Sequence, residues 1–343
     1  MNCCMECFHD AQIRDMIRTN NEIGNCSFCG KEGVPIYSLD QQSDLSDLIS
    51  EVISVYEKFD AGIPLFDVLI NDWHIFDKSS PAVYELVEAF ANLIYGTASS
   101  SHNINVRIPR SFSEKYGIFS GHSWDEFSTA IKTQNRFHND FFRPDQLASF
   151  LTYSTSKYRK GTNFYRARVC SNKDGYSIRE MGAPPIGKRK SGRVNPEGIG
   201  VFYLTSDMET ALHEVRASAF DFVSIGEFQL KKDIRVVNIS ALNEISPVLY
   251  SSGLESLAAN ITVFSDISKE ISKPLRRNDS LLEYLPTQYI TEFIKCKGYA
   301  GVEFTSTMGT GGQNIAVFDE SLFEGLSVHN VEITAVKYFH NDL

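Results

Sequence analysis

Two Cys-x2-Cys pairs, Cys4–Cys7 and Cys26–Cys29, stand eighteen residues apart at the start of this chain. They constrain the fold more than any other feature. Each pair presents two thiolates from one tight turn, and two such turns complete a tetrahedral metal site. The spacing falls in the zinc-ribbon range, and Gly30, directly after Cys29, suits a knuckle turn. No basic segment followed by an apolar run precedes the cysteines, so there is no secretory signal to favour disulfides over metal. The expected ligands are Cys4, Cys7, Cys26 and Cys29 around a structural Zn2+. Cys3 competes with Cys4 for the first position, and the CxxC spacing favours Cys4. The alternative is a set of buried cysteines without metal.

The rest of the composition is that of a globular protein. Of 343 residues, 42% are hydrophobic and 22% charged, enough to bury a core. The net charge of −10 speaks against a broad nucleic-acid surface. No apolar run approaches membrane-spanning length, so a cytoplasmic protein with no membrane partner is expected.

The chain changes character near residue 155. Residues 1–38 form the cysteine-bearing head, and 39–155 read as mainly helical. Ser43 caps a helix predicted over 43–59, whose Leu45, Leu48, Ile49, Val52, Ile53 and Tyr56 recur at helical spacing. A second helix is predicted over 80–95, with Ser80 as cap, Pro81 at the first position and Gly96 as stop. Further helices are expected at 124–133 and 144–152, with one strand at Asn103–Ile108. After the polar joint at 155–163, short strands alternate with helices in a domain taken to run over 160–343. The strands are Phe164–Val169, Gly200–Thr205, Gly226–Leu230, Ile234–Ile239, Gly301–Thr305, Asn314–Phe318 and Val331–Tyr338; the helices lie at 207–219 and about 283–297. The pattern reads as α+β, without the first-strand GxGxxG of a doubly wound sheet.

Residues 192–216 concentrate the chemistry. Arg193 carries a planar fork suited to phosphate, and Lys188, Arg189 and Lys190 precede it. Gly198 and Gly200 allow a bend or a close approach to a ligand. Tyr203 shares a strand face with Val201 and Thr205. Ser206 and Glu209 fit a capping box that launches a helix with Leu212 and Val215 inward and Glu214 partly buried beside them. A buried carboxylate needs a partner or a function. The competing reading is a salt bridge between Arg193 and Glu214 beside a core tyrosine. Residues 304–318 add Ser306 in a hydroxyl-rich strand end, then a Gly-rich turn from Gly309 to Gly312. Its hydroxyls and free backbone N–H groups can hold a ribose, phosphate or amide.

Four motifs occur in order: FYRAR (164–168), GRVNPEGIGVFYLTSDMETALHEVR (192–216), EYLPTQYITEFIK (283–295) and GYAGVEFTSTMGTGGQNIAVFD (298–319). Together they resemble the RES-domain family over roughly 160–340. The resemblance implies a compact mixed α/β domain similar to ADP-ribosyltransferases, and a bacterial toxin that degrades NAD+ beside an Xre-type antitoxin. Arg193, Tyr203, Glu214 and Ser306 match the family's active-site pattern, and Arg166 or Arg168 matches a further arginine. The substrate-binding set implied is Arg166, Arg168, Asn195, Gly311 and Asn314. The N-terminal half resembles a HEPN-like extension of longer members, but it lacks an R-x4-6-H pair. Minimal family toxins have no such half, so the usual antitoxin pairing does not transfer directly.

On this reading NAD+ loses nicotinamide through an oxocarbenium-like transition state. Glu214 stabilises the charge or holds the ribose hydroxyls, Arg193 grips pyrophosphate or incoming phosphate, Tyr203 stacks on nicotinamide or positions it, and Ser306 bonds the nicotinamide-ribose end. The acceptor is phosphate or water. ADP-ribosyl transfer to a macromolecule is the alternative reaction, and a non-catalytic zinc-stapled interaction protein the alternative class. Homo-oligomerisation is left open.

Overall fold

The computed structural model describes residues 1–39, 43–96, 100–185, 187–273, 280–308 and 311–337. The chain divides into two compact units, neither of them contiguous. The first comprises Met1–Trp124, Asp140–Leu147 and Asn243–Ser265; the second comprises Asp125–Asn139, Ala148–Leu242 and Asp266–Leu343.

In the first unit, a three-stranded antiparallel sheet (Asn2–Cys4, Val34–Ser38, Ile23–Gly24) carries the cysteine head. Phe8, Phe76 and Phe90, all buried, stack with ring centroids 5.5–6.5 Å apart and join the head to the helix Val83–Tyr95. Burying three aromatic rings contributes several kcal/mol in all by the usual ~25 cal/mol per Å2. The late segment 243–265 is tied in by buried polar bonds. Asn260 accepts from the Ile118 N–H (2.8 Å) and donates to the Tyr116 carbonyl (3.0 Å).

Ser43 caps the helix Asp44–Ser54 as predicted, but the helix stops five residues before the expected end. Residues Glu57–Pro64 pair instead with Asn105–Arg107. Tertiary strand pairing overrides the local preference of Tyr56–Phe59. The helix read from Ser80 begins at Val83, after a turn in which Ser80 accepts from the Ala82 N–H, and ends where Gly96 adopts φ +74°. The helices Trp124–Thr133 and Pro144–Leu151 lie where the spacing puts them.

Eight strands among the described residues of the second unit form one mixed sheet. Its order is Phe323–Glu332, Phe222–Leu230, Asn163–Cys170, Phe202–Thr205, Gln313–Val317, Gly301–Thr305, Ile234–Asn238, Thr155–Tyr158. Only Ile234–Asn238 and Gly301–Thr305 run parallel. One face packs a core of Phe164, Phe202, Phe228, Ile315, Val317 and Phe323. The other face carries Ala167, Val223 and Ile225 against Ala211 of the helix Met208–Glu214, with Leu212 and Val215 alongside. The strand predicted at Val331–Tyr338 is the tail of Phe323–Glu332, and Tyr338 lies outside the described residues.

Two features of this sheet place the site. First, Asn163–Cys170 meets Phe202–Thr205 at a single pair, Tyr165↔Thr205, so these neighbours fork apart beyond it. Second, the helix after Phe202–Thr205 is short. Asp207, not Ser206, is its N-cap, accepting from the Thr210 N–H (2.7 Å), while Ser206 donates to Asp207 (2.8 Å). The predicted capping box of Ser206 and Glu209 does not form; the cap lies one residue later, where an aspartate carries charge to the helix's positive end. The helix was expected to reach residue 219; it ends at Glu214, and Arg216 takes the left-handed φ of +50°.

Candidate active site and metal centre

Cys4, Cys7, Cys26 and Cys29 converge, their sulfurs all within 4.8 Å of one another. The close approaches are Cys4–Cys29 at 3.5 Å, Cys7–Cys26 at 3.7 Å and Cys4–Cys7 at 3.9 Å. A tetrahedron with metal–sulfur bonds of roughly 2.3 Å has edges of about 3.8 Å, so the donor set fits a zinc-sized ion. The second knuckle closes as the Cys29 N–H points at the Cys26 sulfur (3.5 Å) and Gly30, at φ +73°, turns the chain. Burial pushes the Cys4 thiol up to about 12 and raises Cys7 further. Burial opposes ionisation of Cys26 too, but the Cys29 and Phe28 N–H groups outweigh it and hold that thiol below its usual value. Several thiolates so close need a cation to coexist. Cys3 is buried apart from the cluster and directs its thiol to the Tyr37 carbonyl (3.5 Å).

In the second unit a cavity of about 520 Å3 is lined by Arg166, Arg193, Tyr203, Glu214 and Asn314 among others. Its size is that of a small-molecule site. Glu214, at the last turn of its helix, is exposed on the cavity wall rather than partly buried. Ser306 donates to its Oε1 (2.7 Å), and so does the Asn314 amide (2.7 Å). Both donors are buried and stand on the adjoining strands Gly301–Thr305 and Gln313–Val317 or just beyond them. Among the described residues, Oε2 accepts no such bond. Two charge-assisted bonds on one oxygen fix the carboxylate and leave the other for a ligand.

Arg166 stands at the fork in the sheet. It donates to the Tyr203 carbonyl (3.2 Å), while its buried Nε has no hydrogen-bond partner. Burial, aided by Arg168, lowers its pKa to about 10, which leaves the guanidinium charged at neutral pH. A buried cationic donor without a partner needs an anion. Arg168 does not line the cavity; it donates to the Glu180 carbonyl and covers the Tyr176 ring at 4.2 Å. Side chains two apart on a strand share a face, but the fork gives only Arg166 a way into the cavity.

Arg193 donates to the Glu270 carbonyl, near the end of the helix Ile261–Ser272, and lies over the Tyr284 ring at 5.4 Å. Tyr203 spends its hydroxyl on Asn195 (2.8 Å), and burial raises its pKa. Asn195 does not line the cavity. Its amide nitrogen donates to the carbonyls of Lys190, Pro196 and Ile199 at 3.0–3.2 Å, so it folds the loop that presents Arg193. Gly311 is exposed at φ +68° and does not line the cavity either. Beside it, a Cβ on Gly312 would sit 1.9 Å from the Thr210 hydroxyl, which forces glycine where the turn meets the helix. Gly309 lies outside the described residues.

Sequence reading missed two contributions. Ile271 and Ser272, the end of a helix it did not foresee, and Lys273 just after it line the cavity, and Thr307 donates to the Ser272 carbonyl (3.0 Å). Thr287 and Gln288, buried on the helix Leu285–Cys296, bond the segment 191–195. The available signal was an amphipathic helix with polar residues on its inward face.

A family model described as the RES domain matches residues 163–337. The chain is similar to a solved structure, the crystal structure of the M. tuberculosis MbcT-MbcA toxin-antitoxin complex, at 12% identity and a TM-score of 0.33. That match covers 54% of this chain and 92% of the other. No curated protein matches the sequence.

Proposed function

The chain belongs to the RES-domain family, and from that premise we propose that the cavity of the second unit cleaves NAD+ at the nicotinamide–ribose bond. The observation that carries the reading is Glu214: a carboxylate fixed through one oxygen by Ser306 and Asn314, open through the other, in one cavity with two arginines. The scissile C–N bond breaks with its electron pair leaving on nicotinamide, which departs neutral and needs no acid. Positive charge develops at the ribose anomeric carbon, and Glu214 stabilises it in a site built before the substrate arrives.

Arg166, with its unpartnered Nε, takes one phosphate of the substrate; Arg193 takes the pyrophosphate or an incoming inorganic phosphate. Tyr203 offers its ring to nicotinamide, since its hydroxyl is held by Asn195. Ser306 acts here through Glu214 rather than directly on the ribose. An oxygen of phosphate or water then bonds the anomeric carbon, giving ADP-ribose phosphate or, with loss of a proton to solvent, ADP-ribose. The fold of this unit is read as similar to ADP-ribosyltransferases. The four cysteines hold a structural Zn2+ with no open position for chemistry. The protein acts as a toxin or defence effector held in check by a protein partner.

The test incubates the purified full chain with NAD+ and follows nicotinamide release with and without phosphate. Wild type should release nicotinamide, and Glu214→Ala should lose at least about 100-fold. Equal release from both would sink the site assignment, and label from NAD+ on protein would make the enzyme a transferase.

A further inference from the structure

We infer that Thr287 and Gln288, on the helix Leu285–Cys296, are positioning residues that set the substrate affinity of the cavity by fixing the loop carrying Arg193. This rests on the NAD+ reading of the same site. Both side chains are all but buried, at 2% and 4% exposure, where a polar group is costly unless each bond is made. All but one of the bonds they donate go to one short segment. The two N–H groups of the Gln288 amide serve three acceptors, one of them shared: the Ser191 hydroxyl (2.9 Å) and the carbonyls of Gly192 (2.7 Å) and Asn195 (3.0 Å). Thr287 donates to the Arg193 carbonyl (2.7 Å) and shares that proton with the Tyr284 carbonyl (2.9 Å).

The segment they hold is itself a tight turn. Gly192 and Asn195 bond each other's backbone, at 2.9 Å from the Gly192 N–H and 3.4 Å in return. A Cβ on Gly192 would lie 2.8 Å from both the Asn195 side-chain oxygen and the Tyr203 hydroxyl. Asn195 in turn receives the Tyr203 hydroxyl. The helix therefore fixes the Arg193 backbone directly and the Tyr203 ring through one relay. None of this requires either residue to touch substrate. Neither lines the cavity, and two buried polar side chains spent on one loop, at the start of a helix that buries Ile290 and Ile294 farther on, mark a supporting shell for a site.

Arg193 would hold the pyrophosphate and Tyr203 the nicotinamide ring, contacts made in ground state and transition state alike, so loosening them weakens both. That raises KM and spares kcat. Gln288→Met keeps the volume and removes the donors; Thr287→Val removes one donor, and Thr287→Ser restores it. With NAD+ as substrate and nicotinamide release as readout, Gln288→Met should raise KM about tenfold with kcat within about threefold. Thr287→Val should shift KM in the same direction by less, and Thr287→Ser should match wild type. If Gln288→Met does not fold, the Thr287 pair decides. A loss confined to kcat, in proportion to the folded fraction seen by circular dichroism, overturns the proposal and makes the bonds purely structural. Unchanged KM in Thr287→Val and Gln288→Met overturns it too, while the NAD+ reading stands. A wild type that releases no nicotinamide ends the NAD+ reading first, and this inference with it.

Discussion

The cysteine cluster and the Glu214 cavity both gather polar groups from distant parts of the chain, and they differ in what is left over. At the cluster, four thiols crowd together within 4.8 Å and suit one ion, with nothing remaining for a second ligand. At the cavity, Ser306 and Asn314 use one oxygen of Glu214, and Arg166 keeps a buried Nε without a partner. A set that one ion saturates staples a fold. An incomplete set costs stability that only a ligand can restore, as at functional sites.

Removing one cysteine should separate the two most sharply. Cys26→Ser is expected to drop bound zinc from about one ion per chain to near zero and to unfold the first unit, since structural zinc contributes on the order of 10 kcal/mol. Nicotinamide release should survive in part, because every cavity residue named above belongs to the second unit. Metal analysis beside a nicotinamide assay reads both, and a variant with wild-type zinc would break the contrast.

A smaller effect tests the fixed oxygen of Glu214. Ser306→Ala and Asn314→Ala should each lower kcat/KM about tenfold, near 1.4 kcal/mol for a bond to a charged group. The double variant should fall by more than the product, since each donor partly holds what the other leaves. Full additivity would mean that the two act on different groups.

The smallest effect lies at the cap of the helix that carries Glu214. Asp207→Ala should cost about 1 kcal/mol. Burial works against ionising Asp207, but bonds from Thr210 and Ser206 outweigh it and hold its pKa below the usual carboxylate value. A depressed folded pKa means that this stabilisation is complete above about pH 4 and fades as pH falls through the folded value. Melting temperatures of wild type and variant should therefore converge in acid and differ by a few degrees at neutral pH. A constant gap at all pH values would show that the cap's charge is irrelevant.

The four clustered cysteines were readable because CxxC is a local pattern: two turns suffice to place four sulfurs, and spacing alone reports them. Glu214, Arg193, Tyr203 and Ser306 were readable only through their order in four motifs. Strand positions in the second half followed from apolar runs, whereas Glu57–Pro64 did not, because its pairing partner lies over forty residues away. The choice between Arg166 and Arg168 could not be made from alternation, which puts both on one face. It depends on a sheet that forks after a single pair.

Local order in the chain thus carried the cysteine cluster, the change from helix-rich to strand-rich chain near residue 155, and several of the residue types that line the cavity. Tertiary structure alone decided that Glu214 is held by Ser306 and Asn314, that Asn195 serves the loop and not the cavity, and that Thr287 and Gln288 brace Arg193. The physical reason is range. Turns, caps and periodicity act over a few residues and leave a trace in local order, whereas the bonds that hold Glu214 and brace Arg193 join residues about ninety or more apart and exist only once the sheet and its helices have closed.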